Sequence, residues 1–360
     1  MHNKIKAFQG LRGLAIFLVF LSHCNYLYNV DGVSQLGAFG GAGVSIFIIL
    51  SGFLAARKFF EQDRVEGAFV LCKKRWQQFY KLHFITLFMA VPFTLTLLRK
   101  DILKWSASLV ANATLLQTLV PFSGVYFSFN SVAWFLSLVM VFALLTRVAD
   151  YVWKRLTVKK AVILLLGVNL LEFLLCYATM GLKCVHWLVY INPVVRFADF
   201  LLGGCVFYLS CTLPELKNKS LWNVNLVFTL SLFAIVLFCS LGQKSEYFST
   251  AVWTIPSCLL IATLYNNYQN FLIDGGGKHS CPSQVKLTSL FTNGFAQWLG
   301  NISFEFFLLH QLIIRYLSAL ARRIFTGESW VTYFITYVIA FVLCCCLAVF
   351  YRIFSKEHKE

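Results

Sequence analysis

Apolar runs of about 18 residues or more recur from one end of this chain to the other, and that repetition constrains its fold more than any single motif. A segment in lipid must satisfy its own backbone hydrogen bonds, which a helix does alone and an open strand does not. No strand-like alternation competes with the runs. With 59% hydrophobic and 13% charged residues over 360 positions, the sequence excludes a soluble globule. The expected fold is all-α, a polytopic membrane protein with about ten transmembrane helices and both termini cytoplasmic. The spans are placed at 13–30, 41–56, 82–98, 131–149, 161–180, 193–211, 222–241, 250–268, 297–320 and 331–351. They form a single membrane domain over 1–352, followed by a short cytoplasmic tail at 353–360.

The topology rests on charge. Starting from an inside N-terminus, the inside segments hold 22 of the 31 Lys and Arg, the outside segments seven, and Arg196 and Arg315 fall within spans. Positive charge concentrated on one side is the ordinary signature of cytoplasmic loops, so the net charge of +16 needs no nucleic-acid partner. Residues 102–121 are apolar enough to compete as a span. A crossing there would move the basic loops 147–160 and 352–359 outside, so 99–130 reads as an outer segment lying on or dipping into the membrane. Lys4 and Lys6 precede an apolar run without a small-residue cleavage site, so that run reads as a retained first span. The twelve Cys form no CxxC pair and read as small apolar fillers, with no metal site. Gly275-Gly276-Gly277-Lys278 lacks the strand context of a phosphate-binding loop.

Several polar residues sit inside the apolar runs. Arg12 and His23 are eleven residues apart, which returns them to within about 20° on a helix and separates them by about 16 Å along it. Intramembrane ionisable groups are costly and point to function. The plainer alternative is an Arg reaching to headgroups and a His satisfied by a neighbouring helix. Small residues at Gly40–Ser45 and Ser51–Gly52 suit close helix packing and also leave room for a substrate. The cluster Lys73-Lys74-Arg75 suits a topology anchor, an anionic-lipid contact or the phosphates of a donor. Arg196 and Asp199 share a face and can neutralise each other. Glu172 is protonated, paired across helices or part of a site. Ser303 and His310 share a face seven residues apart, too far for a dyad within one helix.

Taken in order, the segments Arg12-x10-His23, Gly43-Val44-x-x-Phe47-x-x-x-Ser51-Gly52-Phe53-Leu54, the basic run before the third span, Trp134-Phe135-Leu136, Arg196-x-x-Asp199-Phe200-x-x-Gly203 and Leu299-Gly300-x-x-Ser303-Phe304-x-x-Phe307-Leu308-x-His310 resemble acyltransferase family 3. These are integral membrane O-acyltransferases of bacterial cell-surface glycans. The resemblance implies a donor, usually acetyl-coenzyme A, bound from the cytoplasm, and acyl delivery to a hydroxyl at the outer side of the bacterial inner membrane. It implies His23 as the catalytic base and Arg12, Lys74 and Arg75 as donor contacts. Ser51, Trp134, Glu172, Arg196, Asp199, Ser303 and His310 are further cavity candidates. The chain departs from the usual pattern at Gln78, where a second Arg is common, at Lys81, where Pro is common, at Val139, where many members carry Glu, and at Asp199, where Glu is common.

The expected function is therefore O-acyl, in particular O-acetyl, transfer to an extracytoplasmic polysaccharide or lipid-linked glycan. Longer members carry a fused extracytoplasmic domain, so here the transfer is completed alone or the acyl group is handed to a separate extracytoplasmic partner protein. The rival expectation is a transporter or flippase of a glycan or acyl carrier, which a charged cavity among ten spans also suits. Neither inverted repeats nor paired Gly/Pro-broken helices support that rival.

Overall fold

The computed structural model describes residues 5–24, 37–62, 66–213, 229–230, 232, 250–273, 289–324 and 330–357. Its described residues are helical with no strand. The expected span 222–241, apart from 229–230 and 232, lies outside the described residues, as do the end of the first span beyond Cys24 and Gly275–Lys278.

The long helices are α1 (Lys6–His23), α2 (Ala38–Gln62) and α3 (Ala68–Ala90). Short helices α4 (Leu95–Lys100), α5 (Ile102–Ala113) and α6 (Ser123–Tyr126) follow. Next come α7 (Trp134–Leu144), α8 (Thr146–Trp153), α9 (Val158–Ala178) and α10 (Pro193–Thr212). The described chain closes with α11 (Ala251–Ile273), α12 (Gly294–Asn301), α13 (Ser303–Ile324) and α14 (Trp330–Glu357). Among the described residues six helices are long and apolar enough to cross a membrane, seven if the pair 131–144 and 146–153, bent by 58°, is one span. This is an all-α polytopic membrane protein.

Local chemistry sets several boundaries. Asn192 caps α10 by accepting from the Val194 amide, and Pro193 occupies the first turn, where a missing N–H costs nothing. Asn293 caps α12 in the same way through the Ala296 amide. The basic run Lys73–Arg75, expected in a loop, lies in the first turns of α3, which begins at Ala68. Apolar Phe69 and Val70 precede the charges, so the helical pattern extends beyond the expected span. The 12 residues of α5 reach only about 18 Å, well short of the roughly 30 Å hydrocarbon thickness.

Glycine brings the central helices into backbone contact. A methyl group on Gly52 would overlap the Phe200 carbonyl, and one on Gly203 would overlap the Ile49 carbonyl, so α2 and α10 cross where only glycine fits. On the other side of the core, Gly13 faces the backbone of Ala296 and Gly300, and Gly300 faces Gln9. This fixes α1 against α12 and sends α13 alongside α1 in the same direction. Phe20 packs edge-on against Phe306 further along, with centroids 5.7 Å apart.

Candidate active site

Because α1 and the α12–α13 chain run side by side from the Gly13/Gly300 contact, ten residues along each reach His23 and His310. The two rings meet edge to face at a centroid distance of 4.9 Å, with His310 Nε2 3.3 Å from His23 Nδ1. His310 is fully buried. Its Nδ1 lies 2.7 Å from the Phe307 carbonyl. A carbonyl only accepts, so Nδ1 carries the hydrogen and the neutral ring presents Nε2 as an acceptor. His23 Nδ1 lies 2.8 Å from the Val19 carbonyl and therefore donates as well. Both contacts place the His23 hydrogen on Nδ1 and its basic lone pair on Nε2.

Two further contacts hold this end of the site. The Tyr333 hydroxyl of α14 donates to the Cys24 carbonyl at 3.2 Å, securing the end of α1. The Asn130 amide donates to the Leu308 carbonyl at 2.9 Å, fastening the segment before α7 to α13 just ahead of His310.

At the other end of α1, Arg12 adjoins the Gly13/Gly300 contact and is close enough to Arg75 of α3 for their charges to repel. Arg75 donates to Gln78 Oε1 at 3.1 Å, so the residue standing where a second Arg is common orients the first. Lys74 turns to Glu66, 2.7 Å away, which also takes Lys58 at 2.8 Å. Hydrogen bonds from Lys58 and Lys74 bring the Glu66 carboxyl down to about 2. Arg352 of α14 donates to the Asn301 carbonyl at the α12–α13 break. Guanidinium groups so placed suit the phosphates of a coenzyme. Among the described residues no group of three or more His, Cys, Asp or Glu is placed to hold a metal ion.

The remaining candidates fall elsewhere. Arg196 and Asp199 form a fully buried ion pair of 2.8 Å. Thr254 of α11 donates to Glu172 at 2.9 Å and lies 3.5 Å from Asp199, while Arg196 reaches Ser45 of α2 at 3.4 Å. This polar cluster ties together α2, α9, α10 and α11, so Glu172 is engaged across helices, and none of its members belongs to α1 or α13. The Trp134 ring packs tilted against Tyr190 at a centroid distance of 5.2 Å, and the Arg196 guanidinium lies 5.8 Å from that same Tyr190 ring. Ser303 donates to the Gly300 carbonyl within its own turn, and Ser51 is exposed with its hydroxyl on the Phe47 carbonyl.

Sequence reasoning placed His23 and His310 in one cavity but did not foresee their direct contact, nor Thr254, Ser45 and Gln78 as partners. Thr and Ser within apolar runs are too common to single out. Gln78 is conspicuous only beside the expected Arg.

The family model of the acyltransferase domain (Acyl_transf_3) matches residues 5–350, nearly the whole chain. The acyltransferase MdmB of Streptomyces mycarofaciens is 22% identical over 345 residues, covering 90% of this chain and 82% of that protein. No solved structure matches. The matched region contains both histidines, the α1 and α3 arginines and the buried ion pair, and with that coverage the chain belongs to acyltransferase family 3.

Proposed function

We propose that this protein is an O-acyltransferase of the bacterial inner membrane. It moves an acyl group, acetyl in the first instance, from cytoplasmic acyl-coenzyme A to a hydroxyl of an extracytoplasmic polysaccharide or lipid-linked glycan. The observation that carries this reading is the His23–His310 contact, 3.3 Å between ring nitrogens, at one end of a helix whose other end holds Arg12 beside Arg75.

In the reaction, Arg12 and Arg75 hold the coenzyme phosphates by charge-assisted hydrogen bonds. The eleven residues between Arg12 and His23 span about 16 Å, a distance that the extended pantetheine arm bridges. His23 Nε2 takes the proton of the acceptor hydroxyl as its oxygen attacks the thioester carbonyl. The new C–O bond forms, the C–S bond breaks, and the departing thiolate takes the proton back from His23. His310 stabilises the imidazolium that forms in between by sharing its Nδ1–H with the Val19 carbonyl, the part a carboxylate plays in a serine-hydrolase triad.

The test uses inside-out membrane vesicles supplied with acetyl-coenzyme A labelled in the acetyl group. The expected product is base-labile acetyl ester on glycan, formed by the wild type and absent from vesicles lacking the protein. Label that crosses the membrane without forming an ester overturns the reading in favour of transport.

A further inference from the structure

Immediately beyond His310, α13 forms one wall of a cavity of about 470 Å³ that contains none of the residues assigned to acyl transfer. Phe93 and Thr94 line it from the segment after α3, and Phe127, Ser128 and Phe129 from the segment after α6. Gln311 and Arg315 face it from α13, four residues apart on one helical face. The wall is fixed: Arg315 stacks over Phe93 with its guanidinium 4.0 Å from the ring centroid and donates to the Phe129 carbonyl at 3.2 Å. Phe129 is buried and holds a left-handed backbone with φ of 56°, a conformation that costs a non-glycine residue about 1 kcal/mol or more.

The informative group is Gln311. The residue is 2% exposed, and its Oε1 has no hydrogen-bond partner within the protein. An orphaned buried acceptor is unfavourable unless a ligand brings it a donor. That requirement sorts the candidate occupants. A lipid chain would fill the aromatic part and leave Oε1 orphaned. A simple anion would satisfy Arg315 but brings no hydrogen to an amide oxygen. A ring with one apolar C–H face and several hydroxyls meets both demands, stacking on the phenylalanines while a hydroxyl donates to Gln311.

We propose that this cavity is the acceptor subsite. It holds a pyranose ring, and Gln311 reads a hydroxyl neighbouring the one presented to His23, thereby setting which position is acylated. The proposal rests on the acyl-transfer reading for its link to His23, but the binding itself does not.

The test measures saturable binding of methyl pyranosides of the gluco, galacto, manno and 6-deoxy-manno series to the purified full chain in detergent, by saturation-transfer NMR. At least one binds the wild type; Gln311→Leu weakens it tenfold or more, and Phe127→Ser, on the half-buried wall, at least fivefold. Both variants are compared with wild type for thermal unfolding, and the more stable of the two decides the outcome if the other fails to fold. His23→Ala binds the same glycoside as wild type does and loses only ester formation. No saturable binding by any of the four, or wild-type affinity in the well-folded wall variant, overturns the proposal. Weakened binding in Gln311→Leu together with undiminished ester formation by His23→Ala leaves the subsite standing and removes His23 from the reaction.

Discussion

His310 Nε2 lies 3.3 Å from His23 Nδ1, and the ring that offers this nitrogen is itself fixed by the Phe307 carbonyl at 2.7 Å. The pair therefore behaves as a base and its holder: the Val19 carbonyl, 2.8 Å from the same nitrogen, sets the tautomer of His23, and the buried ring helps to hold its orientation.

That division of labour separates two substitutions. His310→Ala removes the acceptor facing His23 and is expected to lower kcat roughly 10²-fold or more, within the range of a general-base contribution. His310→Gln, whose side-chain oxygen extends to about the same place, is expected to retain a large part of it. Steady-state kinetics at saturating donor decide, and equal losses in the two variants would assign His310 a packing role.

At the opposite end of α1 the expectation is a binding effect. Arg12→Ala and Arg75→Ala each remove a charge-assisted contact of about 1.5–3 kcal/mol, which is roughly 10- to 100-fold in donor affinity. The donor KM should rise with kcat little changed, while acceptor KM stays put. Gln78→Ala, which frees Arg75, should give a smaller effect of the same kind.

The buried cluster makes a stability prediction. Asp199→Asn removes the carboxylate 2.8 Å from the fully buried Arg196 guanidinium, and breaking such a pair costs on the order of 3–5 kcal/mol. Replacing both partners with apolar residues of similar volume removes the penalty. Thermal unfolding of the single and double variants in detergent should therefore be non-additive, with the double variant the more stable.

Glu66 supplies a pH signature. Its carboxyl, hydrogen-bonded by Lys58 and Lys74, is held near about 2, below the value of about 4.3 for an unpaired Glu. A depressed carboxyl stabilises the fold above its unfolded value and loses that contribution as pH falls through the folded one. The group is solvent-accessible, so the effect is at most about 1 kcal/mol. Glu66→Gln should lower the melting temperature slightly at neutral pH. The gap to wild type should close as pH is taken from about 5 towards 2, and also in high salt.

Much of this was legible in the sequence because membrane physics leaves few options. Apolar runs forced helices, and the small pair Ser51–Gly52 suited a close crossing, which the Gly52 contact with the Phe200 carbonyl shows; that Gly203 meets the Ile49 carbonyl there comes only from the packing. Arg196 and Asp199, three apart, announced their pairing. The helical period gives only the direction in which His23 and His310 point, and their contact depends on how α1 and α13 pack. The same limit hid Thr254, whose hydroxyl matters only because α11 lies against both carboxylates. The break at Ile302 was hidden too, since the apolar run continues through it while the helix does not.

Acyl transfer through His23 is tested most directly by single-turnover transfer from labelled acetyl-coenzyme A to glycan, comparing wild type with His23→Ala at matched abundance and matched donor affinity. The account predicts that ester formation falls at least 10²-fold while donor binding persists. Ester formation at the wild-type rate in His23→Ala would contradict it.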